Sequence, residues 1–133
     1  MGKSKPVSVK LPASIDKKTL KKYKRQRVRW GFSDYDCMDL DFYLCAIIPN
    51  AIEQLLSFKH GYSDSLWMLD TKEVKKGLTP EEYDAELRWY VQKFRDTVRS
   101  VHYGTSFDEI SKADEMTVPL FEWLGHNIHT LWD

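Results

Sequence analysis

Three observations on the 133-residue sequence predict an all-α fold. Two long segments carry apolar residues every three or four positions, a complete helix-start signal stands at Thr79, Pro80 and Glu82, and a further apolar stripe reaches the C-terminal end. The expected architecture is a bundle of three main helices, at about 34–59 with a kink at Pro49, 80–102 and 107–131, behind an extended basic N-terminal arm. The expected division is residues 1–32 as the arm and 33–133 as an acidic helical domain.

In chain order, Pro6 and Pro12 bracket an alternating stretch and predict an extended arm. Ser14 is placed to cap a short basic helix running to about Gln26, with Ile15, Leu20 and Tyr23 as its apolar contacts. Val28, Trp30 and Phe32 alternate with polar residues, which predicts an extended connector over 27–32. Ser33 is a good N-cap, and Asp34 and Asp36 suit the positive end of a helix dipole. Met38, Phe42, Cys45, Ile48, Ile52 and Leu55 then form an inward stripe. Pro49 removes one helix amide and predicts the kink. His60, Gly61 and Ser63 stop that helix, and 61–78 reads as a loop docked by a short turn at Leu66, Trp67, Met68 and Leu69.

Thr79 as N-cap, Pro80 as first helical residue and Glu82 as the returning acid make a capping box. Tyr83, Leu87, Tyr90, Val91, Phe94, Val98 and Val101 follow on one face, and Gly104 ends the helix. Ser106 opens the last segment, with Phe107, Ile110 and Ala113. Thr117 and Pro119 restart or kink it, and Leu120, Leu124, Ile128 and Leu131 form its stripe.

Charge is the most informative feature. Residues 1–29 hold eleven Lys/Arg against Asp16 alone, whereas 30–133 hold nine Lys/Arg and nineteen acids, so the net charge of zero is a cancellation of +10 and −10. Such a split predicts an arm that engages a polyanion or an acidic protein surface. The residues placed to do so are Lys17, Lys18, Lys21, Lys22, Lys24, Arg25, Arg27 and Arg29, with Tyr23 and Trp30 interleaved as stacking groups.

Catalytic and metal motifs are weaker. Asp34, Asp36, Asp39 and Asp41 invite comparison with a calcium loop, but its sixth and twelfth positions would be Asp39 and Cys45 instead of glycine and glutamate. Asp41 falls on the same predicted face as Cys45 and Ile48, which predicts a partly buried carboxylate with a structural donor. Glu122, His126 and His129 share a helix face at spacings that suit part of a zinc site, without an evident fourth ligand. Cys37 and Cys45 lie eight apart, about 12 Å if on one helix, too far for a disulfide and consistent with reduced thiols. No glycine-rich phosphate loop or nucleophile elbow is present. No enzymatic activity and no cofactor are expected; a small metal- or thiol-dependent enzyme is the third-ranked alternative.

The stretch Gly31-Phe32-Ser33-Asp34-Tyr35-Asp36-Cys37-Met38-Asp39-Leu40-Asp41, followed by Ile47-Ile48-Pro49, resembles a helix entry found in small proteins of tailed bacteriophages and prophages. The similarity extends through Glu81-Glu82-Tyr83 and into 124–132, with Met38 where those proteins carry tryptophan. It implies a phage origin, in the host cytoplasm or a virion, and no particular chemistry. The expected function is that of an interaction or assembly protein whose arm engages an acidic partner: a virion component, a host protein or a second copy. The alternative is a nucleic-acid-binding accessory protein using the same arm, in either case without a membrane span.

Overall fold

The computed structural model describes residues 9–59, 61–103 and 106–132. It is mostly helical. The elements are α1 (Lys17–Trp30), α2 (Asp34–Cys37), α3 (Leu40–Phe58), β1 (Leu66–Met68), β2 (Glu73–Lys75), α4 (Pro80–Tyr103), α5 (Phe107–Glu115), α6 (Thr117–Asn127) and a closing 3₁₀ turn, Ile128–Thr130. Helix α4 is the axis of the molecule, packing against α3, α5 and α6. The expected roles of residues 1–8, His60 and Gly104, and the burial of Val101 and Ala113, lie outside the described residues.

The capping box forms as read: the Thr79 amide donates to Glu82 Oε1 at 3.2 Å and the Glu82 amide to Thr79 Oγ1 at 3.1 Å. Tyr83, Leu87, Tyr90, Val91, Phe94 and Val98 are all buried. Between them Arg95 is fully buried on α4, donating to Glu53 Oε2 and Asn50 Oδ1 of α3, each at 3.0 Å. The expected single helix over 34–59 is instead two. The chain leaves α2 at Met38 and restarts from Asp39, so Met38 is 73% exposed and not on the inward stripe. Helix α3 passes through Pro49 without interruption and buries Cys45, Ala46, Pro49, Ile52 and Leu56.

The expected 107–131 helix is likewise divided. Helix α5 ends at Glu115, and α6 restarts at Thr117 with Pro119 in its first turn, where amides have no intrahelical acceptor. The stripe of α6 is carried by Leu120, Trp123 and Asn127, while Ile128 is 52% exposed. Trp123 stacks on Tyr90 with centroids 3.9 Å apart.

The loop expected over 61–78 contains a two-stranded antiparallel hairpin, registered Leu66↔Lys75, Trp67↔Val74 and Met68↔Glu73. Its four-residue connection ends at Lys72 with φ 55°. Asn127 holds it to α6: its side-chain carbonyl accepts from the Trp67 amide at 2.8 Å, and its amide donates to the Trp67 carbonyl at 2.9 Å. The Trp67 ring stacks on His126 at 4.0 Å.

Candidate interaction surface on the basic helix

Residues 27–30, expected as an extended connector, complete α1; its N-cap is Asp16, accepting from the Thr19 amide at 3.0 Å, and not Ser14. Gly31 closes the helix in the left-handed region, φ 86°, with its amide donating to the Arg27 carbonyl. The alternation of 28, 30 and 32 marks no buried face: Val28, Trp30 and Phe32 are all exposed, and in a helix a two-residue step puts Val28 and Trp30 on opposite sides.

Helical spacing sorts α1 into rows. Lys17, Lys21, Lys24 and Val28 form one row, and Lys18, Lys22, Arg25 and Arg29 form the next; all eight are exposed. The opposite side carries Leu20, Tyr23, Gln26 and Arg27, all half-buried. The result is one continuous cationic face about 20 Å long at 1.5 Å per residue, with Val28 89% exposed within it.

A lock at the C-terminal end sets this orientation. Arg27 donates through Nε and Nη2 to the two carboxylate oxygens of Asp36, at 2.8 and 2.5 Å, and Asp36 also accepts from the Ser33 amide and hydroxyl, each at 2.8 Å. The Asp36 side chain is only 3% exposed. Burial pushes its carboxyl up, but the Arg27 guanidinium and the Ser33 donors outweigh this and hold it below the usual aspartate range. Arg27 also lies 5.7 Å from the centroid of Tyr43, whose hydroxyl donates to the Gly31 carbonyl at 2.6 Å. The Gln26 side-chain amide also donates to Asp34 Oδ2 at 2.9 Å, and its carbonyl accepts from the Asp34 backbone amide at 2.8 Å.

The ten residues read as a binding set therefore divide. Arg27 is structural, and Tyr23 packs 6.0 Å from Tyr35 on the inner side. Lys22 reaches Asp34 at 3.4 Å with both side chains more than half exposed, a contact too solvated to fix it. Lys17, Lys18, Lys21, Lys24, Arg25 and Arg29 face outward, and Trp30 is 52% exposed at the end, 6.1 Å from Phe32. Phe32, Met38 and Leu40, which follow in the chain, are 40%, 73% and 44% exposed.

The buried carboxylate anticipated at Asp41 is Asp36; Asp41 itself is exposed, because the break at Met38 and Asp39 turns it outward. The same break puts the cysteines on different helices, Cys37 exposed and Cys45 buried. Burial, with a smaller contribution from Asp41, pushes the Cys45 thiol up to about 11. Glu122, His126 and His129 do not converge. Glu122 faces Lys72 at 3.4 Å, His126 lies on Trp67, and His129 falls in the 3₁₀ turn after α6 ends. Among the described residues no group of three potential metal ligands is assembled, and no helix is long and apolar enough to cross a membrane. No protein-family model, curated protein or solved structure matches the chain.

Proposed function

We propose that the chain is a non-catalytic interaction or assembly protein, of the phage or prophage kind its helix entry resembles, and that it docks an acidic protein surface through α1. The observation that carries this reading is the arrangement of α1: seven outward cations in two adjoining rows on a helix whose inner side is fixed by the pair of Arg27 with the buried Asp36. A folded cationic face loses less conformational freedom on binding than a disordered tail of the same composition.

A protein partner suits the surface better than a nucleic acid. Val28 is exposed among the cations, and Trp30 is exposed 6.0 Å from Arg29 and 6.1 Å from Phe32; mixed aromatic, aliphatic and arginine surface is what protein interfaces bury at their centres. Tyr23, one of the two stacking candidates, is turned inward.

The test replaces Lys17, Lys18, Lys21, Lys24, Arg25 and Arg29 with Gln and leaves Arg27 in place, so that the fold is kept while the charge is removed. Affinity capture and sedimentation should lose a salt-sensitive partner or self-contact seen with the native chain. Identical behaviour of the two proteins would sink the reading. Duplex DNA or RNA binding whose log affinity falls with log salt at a slope of about −0.9 per phosphate contact would move it to nucleic acid.

A further inference from the structure

A cleft of about 420 Å³ lies between the hairpin and α4, lined chiefly by Met68, Leu69, Asp70, Glu86, Trp89 and Tyr90. That size falls within the roughly 300–1,000 Å³ of ligand pockets. Its chemistry is specific. The Tyr90 ring is buried, and its hydroxyl accepts from the Leu69 amide at 3.2 Å. Trp89 stands edge-on to Tyr90 at 4.8 Å and is 49% exposed. Its ring already receives one ammonium, that of Lys93, 5.0 Å from the centroid. Asp70, on the connection after β1, and Glu86, on α4, both act electrostatically on the Tyr90 hydroxyl, and among the described residues neither is in an ion pair. Asp70 Oδ1 accepts from the Thr71 amide at 2.8 Å, which leaves its second oxygen and the Glu86 carboxylate to face a ligand. Apolar walls, two aromatic rings and two carboxylates without a counter-charge suit a long aliphatic stem that ends in a cation.

We propose that this cleft receives a lysine or arginine side chain, and that the donor is the outward face of α1 on a second copy. The proposal deepens the docking role given above to α1 and rests on it. Charge complementarity within the chain itself selects a second copy: the basic segment and the acidic remainder balance, so no net charge opposes association. The two patches are different, so the contact is heterologous and propagates head to tail into a ring or a filament. Lys17, Lys21 and Lys24 form an exposed row along one edge of α1, with Val28 as its apolar end, and so offer the side chains for the cleft.

Sedimentation velocity of the full chain over a range of concentrations at low salt tests this. The native protein should associate, and added salt should disperse it. An Asp70→Lys, Glu86→Lys variant and a Lys21→Glu, Lys24→Glu variant should each associate at least about tenfold more weakly, since each sets like charges against one another. Mixed together they should associate again, because each then presents the complement of the other; this rescue also shows that both fold. A native protein that stays monomeric overturns the proposal. So does undiminished association of the cleft variant; if the α1 variant is then still monomeric, the cleft is wrong while the role of α1 stands. Undiminished association of the α1 variant, with the cleft variant monomeric, removes α1 as the donor.

Discussion

Asp36 shows how much one side chain settles in this molecule. Its carboxylate is nearly inaccessible and accepts four hydrogen bonds, two from Arg27. Arg27→Ala leaves a buried charge without its counter-charge, and should lower unfolding stability by about 3 kcal/mol, the lower end for a broken buried pair. Urea denaturation measures it. Arg27→Lys should recover only part, since an ammonium cannot make the two-pronged contact. The pH dependence follows from the lowered Asp36 pKa. A carboxyl held below its unfolded value contributes stability in full above about pH 4 and loses it as the pH falls through the folded value. Asp36→Asn should flatten that part of the acid limb. The thiols divide as sharply: Cys37, exposed, should react quickly with an aromatic disulfide reagent, and Cys45, buried with its pKa pushed up to about 11, only on unfolding. Cys37→Ser should abolish the fast phase; a persisting one would mean that Cys45 is reached in the folded protein.

Among the elements, the hairpin depends on α6. Asn127 satisfies both backbone groups of Trp67, so Asn127→Leu strands a buried donor and acceptor and should cost about 2–3 kcal/mol. Hydrogen exchange should show Leu66, Trp67 and Met68 losing protection while α4 keeps its own; equal loss in both would refute a local role. What was legible in the sequence follows the same lines. Helix α4 was readable almost residue by residue, because cap, first-turn proline and stripe agree and its partners only complete a face already defined. The hairpin was not. Its strands are three residues each, β2 is exposed throughout, and no Asn-Gly or Asp-Gly marks the turn. Its partner is a side chain sixty residues away. The division into α2 and α3 was hidden because the apolar spacing continues across the break while Asp39 redirects the chain. Of the candidate interaction surface, the cations were readable; that Arg27 pairs with Asp36 behind the outward face was not, since its acid lies on another helix.

For the molecule as a whole, distribution of charge matters more than its sum. The basic helix packs mainly on α2, at the margin of a body organised around α4. The Gln substitutions on α1 should therefore leave the unfolding midpoint close to that of the native chain, with surface changes within about 0.5 kcal/mol each, while removing salt-sensitive association. A large loss of stability would mean that the outward row is held by contacts within the chain. Lys59 closes the far end. It is buried, donates to the carbonyls of Thr130 and Trp132, and lies within 6 Å of the Tyr62, Tyr83 and Trp132 ring centroids. Tyr83 secures the same segment through Thr130.

The Arg27–Asp36 lock also constrains how such a sequence can drift over generations. The outward positions of α1 can exchange lysine for arginine, or shed a charge, one step at a time at little cost to folding, because each is exposed. Arg27 and Asp36 have no such freedom. Losing Arg27 alone leaves the buried Asp36 carboxylate without its counter-charge, and losing Asp36 alone leaves the half-buried Arg27 without its partner, so the pair should be kept together or replaced together. In a set of diverged sequences, then, the number of cations on α1 would wander while positions 27 and 36 moved in step. Tolerance to mutation, as far as folding is concerned, would be high on the outward face of α1 and low just behind it, the reverse of what a loosely tethered tail would show.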